Sequence, residues 1–380
     1  MQKFIYFSIF TMLLNSVLTS ITAQKLSPCD KNATQPTINL LNNFKKISTQ
    51  GFLFGHEDAT AYGVSWKSER NRSDVNDIVG DFPALYGWDI SYLELKKRKN
   101  IDNVKFRKQR KLVKQAYANG AINTFSWHCS SPLNAKEGAW DTTHATVASI
   151  LPWGENHDLY KKWLDRIAIY FNSLIDDSGK PIPILFRPFH ELTGNWFWWG
   201  KSACSDLEYK ALWRFTVAYL RDEKHLHNLL YVYNTADNFD TEQEFLVRYP
   251  GDDMVDIISF DSYQYTNPKE DSSFRYKTAY KLSILKKIAT DKQKVFALAE
   301  TGYEAIPAAD WWTNMLLPAI ENSGIAYVLL WRNAGYSAKM KKMHYYVPYK
   351  GQVSEADFKL FYSNSKTLFQ KEVSQFRMYN

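Results

Sequence analysis

One stretch holds most of the reactive side chains in this sequence: Phe186-Arg187-Pro188-Phe189-His190-Glu191-Leu192-Thr193-Gly194-Asn195-Trp196-Phe197-Trp198-Trp199-Gly200. An Arg, a His and a Glu precede three indoles. A packed core accounts for the indoles but not for Arg187 and Glu191, which are costly to bury unpaired. A second stretch, Leu298-Ala299-Glu300-Thr301-Gly302-Tyr303-Glu304, puts a carboxylate directly after an apolar run. Alone, Glu300 reads equally well as a helix cap or a surface residue. Paired with Glu191 it has a chemistry. Glycoside hydrolysis uses two carboxyl groups flanking the scissile bond, one protonated and one ionised. Aromatic neighbours would desolvate Glu191 and raise its pKa, which suits the acid. A donor such as Tyr263 or Arg187 would keep Glu300 charged.

Other chemistries fit less well. His190-Glu191 begins like a zincin, but position 194 is Gly, so HExxH is absent. His56, His128, His190 and Asp261 could serve a metal-dependent hydrolase, yet nothing spaces them as a ligand set. A Gly-rich phosphate loop is missing. The two-carboxylate reaction needs no metal and no organic cofactor.

Short apolar runs must carry these groups. They are 52–54, 83–88, 121–127, 182–186, 229–233, 255–260, 295–299 and 325–330. Each is apolar on both faces and bounded by turn residues, as strands of a covered parallel sheet are. Helical periodicity fills the gaps. Residues 103–119 end at Asn119-Gly120, a stop signal. Residues 160–175 put Leu164, Ile167, Ala168, Phe171 and Leu174 on one face. Ser205 is an N-cap for 206–220, and 276–289 and 310–322 read similarly. Eight strands alternating with helices predict an α/β fold, a (β/α)8 TIM barrel in a single domain. Catalytic groups of such barrels sit where strands end. That rule selects His56-Glu57-Asp58, Asp89, His128, Arg187, His190-Glu191, Asn234, Asp237, Asp261, Tyr263, Glu300 and Trp331-Arg332-Asn333. Strand ends four and seven can face each other across the barrel mouth.

Composition narrows the partners. The 380 residues carry a net charge of +7, with basic residues scattered apart from 96–99 and 107–111. Those runs read as solvated helix faces, and no nucleic-acid-binding motif accompanies them, so no nucleic acid partner is expected. With 13 Trp, 24 Tyr and 23 Phe, the chain has more rings than a core needs, which favours a flat, stacking ligand such as a sugar. The N-terminus reads as an export signal: Lys3, a largely apolar 4–18, then small residues to Ala23. The expected organisation is a signal peptide over 1–24, an N-terminal segment over 25–50 leading into the barrel, and a (β/α)8 catalytic domain over 51–380. No other run is long enough to span a membrane. The product would be periplasmic or secreted, with a lipid anchor at Cys29 as an alternative that Pro28 disfavours. Cys29, Cys129 and Cys204 allow one disulfide, and the sequence does not choose the pair. It also leaves the oligomeric state open.

The stretch Arg187-x-x-His190-Glu191-x-x-Gly194-x-Trp196-Phe197-Trp198-Trp199-Gly200 resembles the acid/base motif of glycoside hydrolase family 26, which consists mainly of β-mannanases. The resemblance continues through Trp127-His128, Trp140, Asp261-x-Tyr263, Glu300-Thr301-Gly302 and Trp331-Arg332-Asn333, from about His56 to Asn333. It implies a retaining mechanism on a (β/α)8 barrel, with a mannan-type polysaccharide or manno-oligosaccharide as substrate. Glu191 would be the acid/base and Glu300 the nucleophile. Arg187 and His190 would orient the carboxylates and the sugar, and Tyr263 would hydrogen-bond the nucleophile. His128 and Trp331 would line the subsite before the cleavage point, Trp140 would lie nearby, and Trp196 would form the leaving-group side. Trp331 reads alternatively as a ring on the barrel floor. β-1,3-Xylan and mixed-linkage β-glucan are alternative substrates on the same scaffold, and a catalytically inactive sugar-binding protein is the alternative from another class. Endo action and release of mannobiose are both compatible with the sequence.

Overall fold

All eight apolar runs become strands in the computed structural model, which describes residues 25–380. The export signal expected over 1–24 lies outside the described residues. The strands are β1 Phe52–Glu57, β2 Leu85–Asp89, β3 Ile122–Trp127, β4 Ile184–Pro188, β5 Leu229–Ala236, β6 Ile257–Gln264, β7 Val295–Tyr303 and β8 Tyr327–Leu330. They pair in parallel and in chain order, and β8 closes on β1 from Leu53↔Tyr327 to His56↔Leu330. This is the closed (β/α)8 barrel that the alternation of elements predicts. After β8 a small hairpin forms from β9 Gly335–Ser337 and β10 Lys342–His344, and β11 Thr367–Leu368 pairs with the start of β1.

Two apolar layers hold the barrel. Leu53, Leu85, Ile122, Leu185, Leu230, Ile257, Ala297 and Leu329 belong to the inner one. Alternate residues such as Phe54, Phe125, Ile184, Phe186 and Phe260 face outward to the helices. The segment before the barrel is itself a helix, Gln35–Ile47. Its Leu40, Leu41, Phe44 and Ile47 join the inner layer, with Phe44 tilted against Tyr327 at 6.0 Å. Each such side chain stabilises the closure by about 1.5–3 kcal/mol through burial.

The helix after Ser205 begins as expected. The Ser205 hydroxyl accepts the Glu208 N–H, and the Glu208 carboxylate accepts the Ser205 N–H in return. The helix expected over 310–322 is different: it opens into a π turn over Trp312–Leu316, followed by the short helix Leu317–Ile320. Pro318 explains the break, because it has no N–H to give the preceding turn. Cys29, Cys129 and Cys204 are all free thiols. No helix among the described residues is long and apolar enough to cross a membrane.

Candidate active site

The β4 end turns sharply. Phe189 and Glu191 both adopt left-handed backbone (φ 52°), a conformation that non-glycine residues reach only when the surroundings enforce it. Indole donors brace the loop that contains this turn. Trp199 gives its N–H to the His190 carbonyl, and Trp198 reaches the Cys129 carbonyl, each at 2.8 Å. Both of those rings are fully buried. Trp196 is exposed instead and folds back, so that its N–H donates to Glu191 Oε2 at 2.6 Å. The fold-back requires Gly194, where any Cβ would collide with the Trp196 ring. One Trp of the three therefore belongs to the site and two to its support.

The β7 end uses a different device. Strand alternation sends Ala297 inward, Leu298 outward and Ala299 inward, so Glu300 would point at the helices. The pairing with β6 shifts between Phe260 and Asp261: Phe260 pairs with Leu298, but Asp261 pairs with Glu300. Ala299 is the extra residue of a bulge, and the bulge turns Glu300 into the barrel. There Arg187, inward-facing on β4, donates from Nη1 to Asp261 Oδ2 at 3.0 Å and from Nη2 to Glu300 Oε1. Tyr263 donates its hydroxyl to Glu300 Oε2 at 2.8 Å. Both oxygens of Glu300 are thus occupied by donors.

Carboxylate oxygens of Glu191, Asp261 and Glu300 lie within 4.8 Å of one another. Elsewhere such a trio could hold a divalent cation, but here the Arg187 guanidinium already bridges two of its members. Glu191 is half-buried, and its pKa is pushed up to about 7. Burial is the main cause and the Glu300 charge the second, while the Trp196 donor pulls the other way. The sequence expectation of a raised pKa holds, but the indole at contact distance opposes the rise.

His128 and His190 meet edge to face at 4.5 Å, yet they carry opposite character. Burial works against the His128 imidazolium, but Asp89 Oδ2, 2.7 Å from Nδ1, holds its pKa above the ordinary value. For His190, burial lowers the pKa well below normal, and the charges of His128 and Arg187 lower it further. His190 is therefore a neutral ring beside a chargeable one. Trp140, exposed, stacks on His128 at 5.6 Å and 20°, and Trp331 tilts toward the same ring at 6.1 Å. Trp331 follows the last residue of β8 and is half-exposed at the barrel mouth, so the barrel-floor reading is set aside.

All nine candidate residues gather at this mouth. Sequence reasoning left two groups without a role. Asp89 and Asp261 stood among the strand-end polar residues, and they are the carboxylates that hold His128 and Arg187. Phe197, noted only as part of the aromatic run, packs against His128, Trp140 and His190.

Known proteins carry the same organisation. The family model of glycosyl hydrolase family 26 matches residues 29–309. A mannan endo-1,4-beta-mannosidase of Bifidobacterium adolescentis is 33% identical over 356 residues, which cover 89% of this chain but 35% of that protein. The chain thus spans about a third of that relative's length. A Bacillus subtilis mannan endo-1,4-beta-mannosidase is 28% identical over 67% of this chain and 71% of its own. Among solved structures, a GH26 beta-mannanase from Bacteroides ovatus superposes with a TM-score of 0.86 at 41% identity, over 91% of this chain and 98% of that one. Barrel, strand-end carboxylates and a match across most of the sequence lead to one assignment: this chain belongs to glycosyl hydrolase family 26.

Proposed function

We propose that this chain is a retaining glycosidase that hydrolyses β-1,4-mannosidic linkages in mannan, galactomannan or glucomannan. One observation carries the mechanism: Glu191 and Glu300 approach within 4.8 Å, oxygen to oxygen. That is on the scale of a retaining pair, whose carboxyl groups stand about 5–5.5 Å apart, and below the about 6.5–9.5 Å across which an inverting pair holds its water. Glu300 attacks the anomeric carbon as Glu191 gives its proton to the leaving oxygen. Glu191, now a carboxylate, takes a proton from water, and the water oxygen displaces Glu300 from the glycosyl ester. Two inversions restore the configuration.

The surrounding groups fit assigned tasks. Arg187 fixes Glu300 and Asp261, and Tyr263 holds the second oxygen of Glu300. Neutral His190 can accept or donate to a sugar hydroxyl without adding charge beside Glu191. His128, Trp140 and Trp331 form the wall before the cleavage point, and Trp196 flanks the leaving group. The substrate assignment rests on the relatives named for endo-1,4-beta-mannosidase activity. Export through residues 1–24 to the periplasm or medium fits a polymeric substrate. A lipid anchor at Cys29 fits poorly, because its N–H and thiol both address Asp256, at 2.6 and 3.3 Å.

The test is sugar release from linear β-1,4-mannan, galactomannan, β-1,3-xylan and mixed-linkage β-glucan, with Glu300→Ala as control. NMR of the first-formed anomer reads the stereochemistry. Manno-oligosaccharides formed with retained configuration support the proposal. Activity on xylan or glucan alone would replace the substrate, an inverted first product would remove the mechanism, and binding of mannan without turnover would make this a sugar-binding protein.

A further inference from the structure

The nucleophile-holding tyrosine has a support that neither the reaction scheme nor the family motifs include. Tyr263 reaches Glu300 with its hydroxyl, and its ring is half-exposed. On one side stands Tyr265, at 6.3 Å and highly exposed, which gives little restraint. On another side Tyr346 meets the Tyr263 ring edge to face, with centroids 5.6 Å apart at 70°. Tyr346 also covers Gly302, two residues after Glu300. A Cβ at 302 would strike the Tyr346 ring, and the backbone there has φ 155°. One ring thus leans on both the donor and the strand segment that carries the acceptor.

Tyr346 is itself fixed. Its N–H donates to Asn333 Oδ1 at 2.9 Å, and the Val347 N–H joins it at 3.0 Å. Asn333 is buried and donates in turn to the Val347 carbonyl and to Asp74 Oδ2. The hairpin that leads into Tyr346 is tied to the end of β7: Glu304 accepts from Lys342 and from His344 Nδ1, the latter at 2.7 Å. The His344 ring then packs edge-on against Tyr346 at 5.2 Å. The β9–β10 hairpin and buried Asn333 thus both bear on the placement of this one ring.

We propose that Tyr346 is a positioning residue for the reaction, which acts through Tyr263 to hold the hydroxyl on Glu300. The inference rests on the proposed role of Glu300. A hydrogen bond to a charged group loses strength steeply with angle and distance, so a tyrosine free to swing keeps its ring and loses its effect.

A double-mutant cycle tests this on manno-oligosaccharide hydrolysis by the full chain. Tyr346→Ala should lower kcat about tenfold with KM changed less than about twofold, since the lost interaction strengthens in the transition state. In a Tyr263→Phe background, Tyr346→Ala should cost less than about twofold, because the group it positions is gone. Tyr346→Phe keeps the ring edge and should restore wild-type kcat. Tyr346→Leu, measured beside a melting curve, covers the case in which the alanine variant does not fold. Additive losses in the double variant, or a rise in KM with kcat unchanged, would overturn the proposal and make Tyr346 a substrate contact or a general packing residue. Absence of hydrolysis by the wild-type chain would instead overturn the proposed function.

Discussion

Glu191 and Glu300 are the same residue type on facing sides of one barrel mouth, and the protein builds their surroundings by different means. Glu191 sits on a loop in left-handed backbone, with one donor, the Trp196 indole, at one oxygen. Glu300 sits within β7 and is turned inward by a bulge, with the Arg187 guanidinium at one oxygen and the Tyr263 hydroxyl at the other. A neutral donor and partial burial leave Glu191 with its pKa near 7, able to hold a proton and release it. A guanidinium and a phenol, the donors that the proposed nucleophile requires, both address Glu300. On the proposed roles, the division between acid and nucleophile lies in the donors, not in the residue type.

Removing each carboxylate in turn should have the largest effect. Glu300→Ala should lower kcat on mannan by at least about 10⁴-fold, since no covalent intermediate can form. Loss should be as large on activated substrates, and mannan binding should survive. Glu191→Ala should cost about 10²–10⁴-fold on mannan, the usual range for a lost acid. With a dinitrophenyl leaving group, which needs little protonation, most of that loss should vanish from the first step. If both variants lose activity equally on both substrates, the two carboxylates do not differ in role.

Sequence reading reached the strands, the barrel and the paired glutamates, because apolar runs and strand-end polarity are written directly in residue types. It did not reach the bulge. Ala299 looks like any other strand residue, and only pairing with β6 reveals that it is extra. Residue types alone do not separate Trp196 from Trp198 and Trp199, which share one run of four residues; the family resemblance singled out Trp196, and the folded loop supplies the reason, because the three indole donors diverge. Tyr346 lay further from view: its contact with Tyr263 joins residues 83 positions apart through a hairpin register that composition does not encode. Asp89 was visible as a strand-end acid, but its role depends on the distance to His128 Nδ1.

A smaller effect is expected where only one donor is removed from the nucleophile. Tyr263→Phe keeps the ring and deletes the hydroxyl that reaches Glu300 Oε2. A hydrogen bond to a charged group contributes about 1.5–3 kcal/mol, so kcat should fall about ten- to hundredfold, with Arg187 still in place. An unchanged kcat would remove Tyr263 from the reaction.

The smallest change addresses the acid alone. Trp196→Phe keeps an aromatic face beside the leaving group but deletes the N–H that donates to Glu191 Oε2. That donor favours the carboxylate form and lowers the pKa, against burial and the Glu300 charge, which raise it. In the wild-type enzyme kcat/KM should fall as pH rises through about 7, where Glu191 loses the proton it must deliver. Without the indole N–H the pKa should rise, so the alkaline limb should move to higher pH. The maximal rate should change by less than about tenfold, because the proton is still delivered from the same oxygen pair. An alkaline limb that moves to lower pH would mean that the indole acts chiefly by burying Glu191, so that the water admitted by its loss outweighs the missing donor. An unmoved limb would mean that a different group titrates there, and the division of labour between the two carboxylates would lose its acid half.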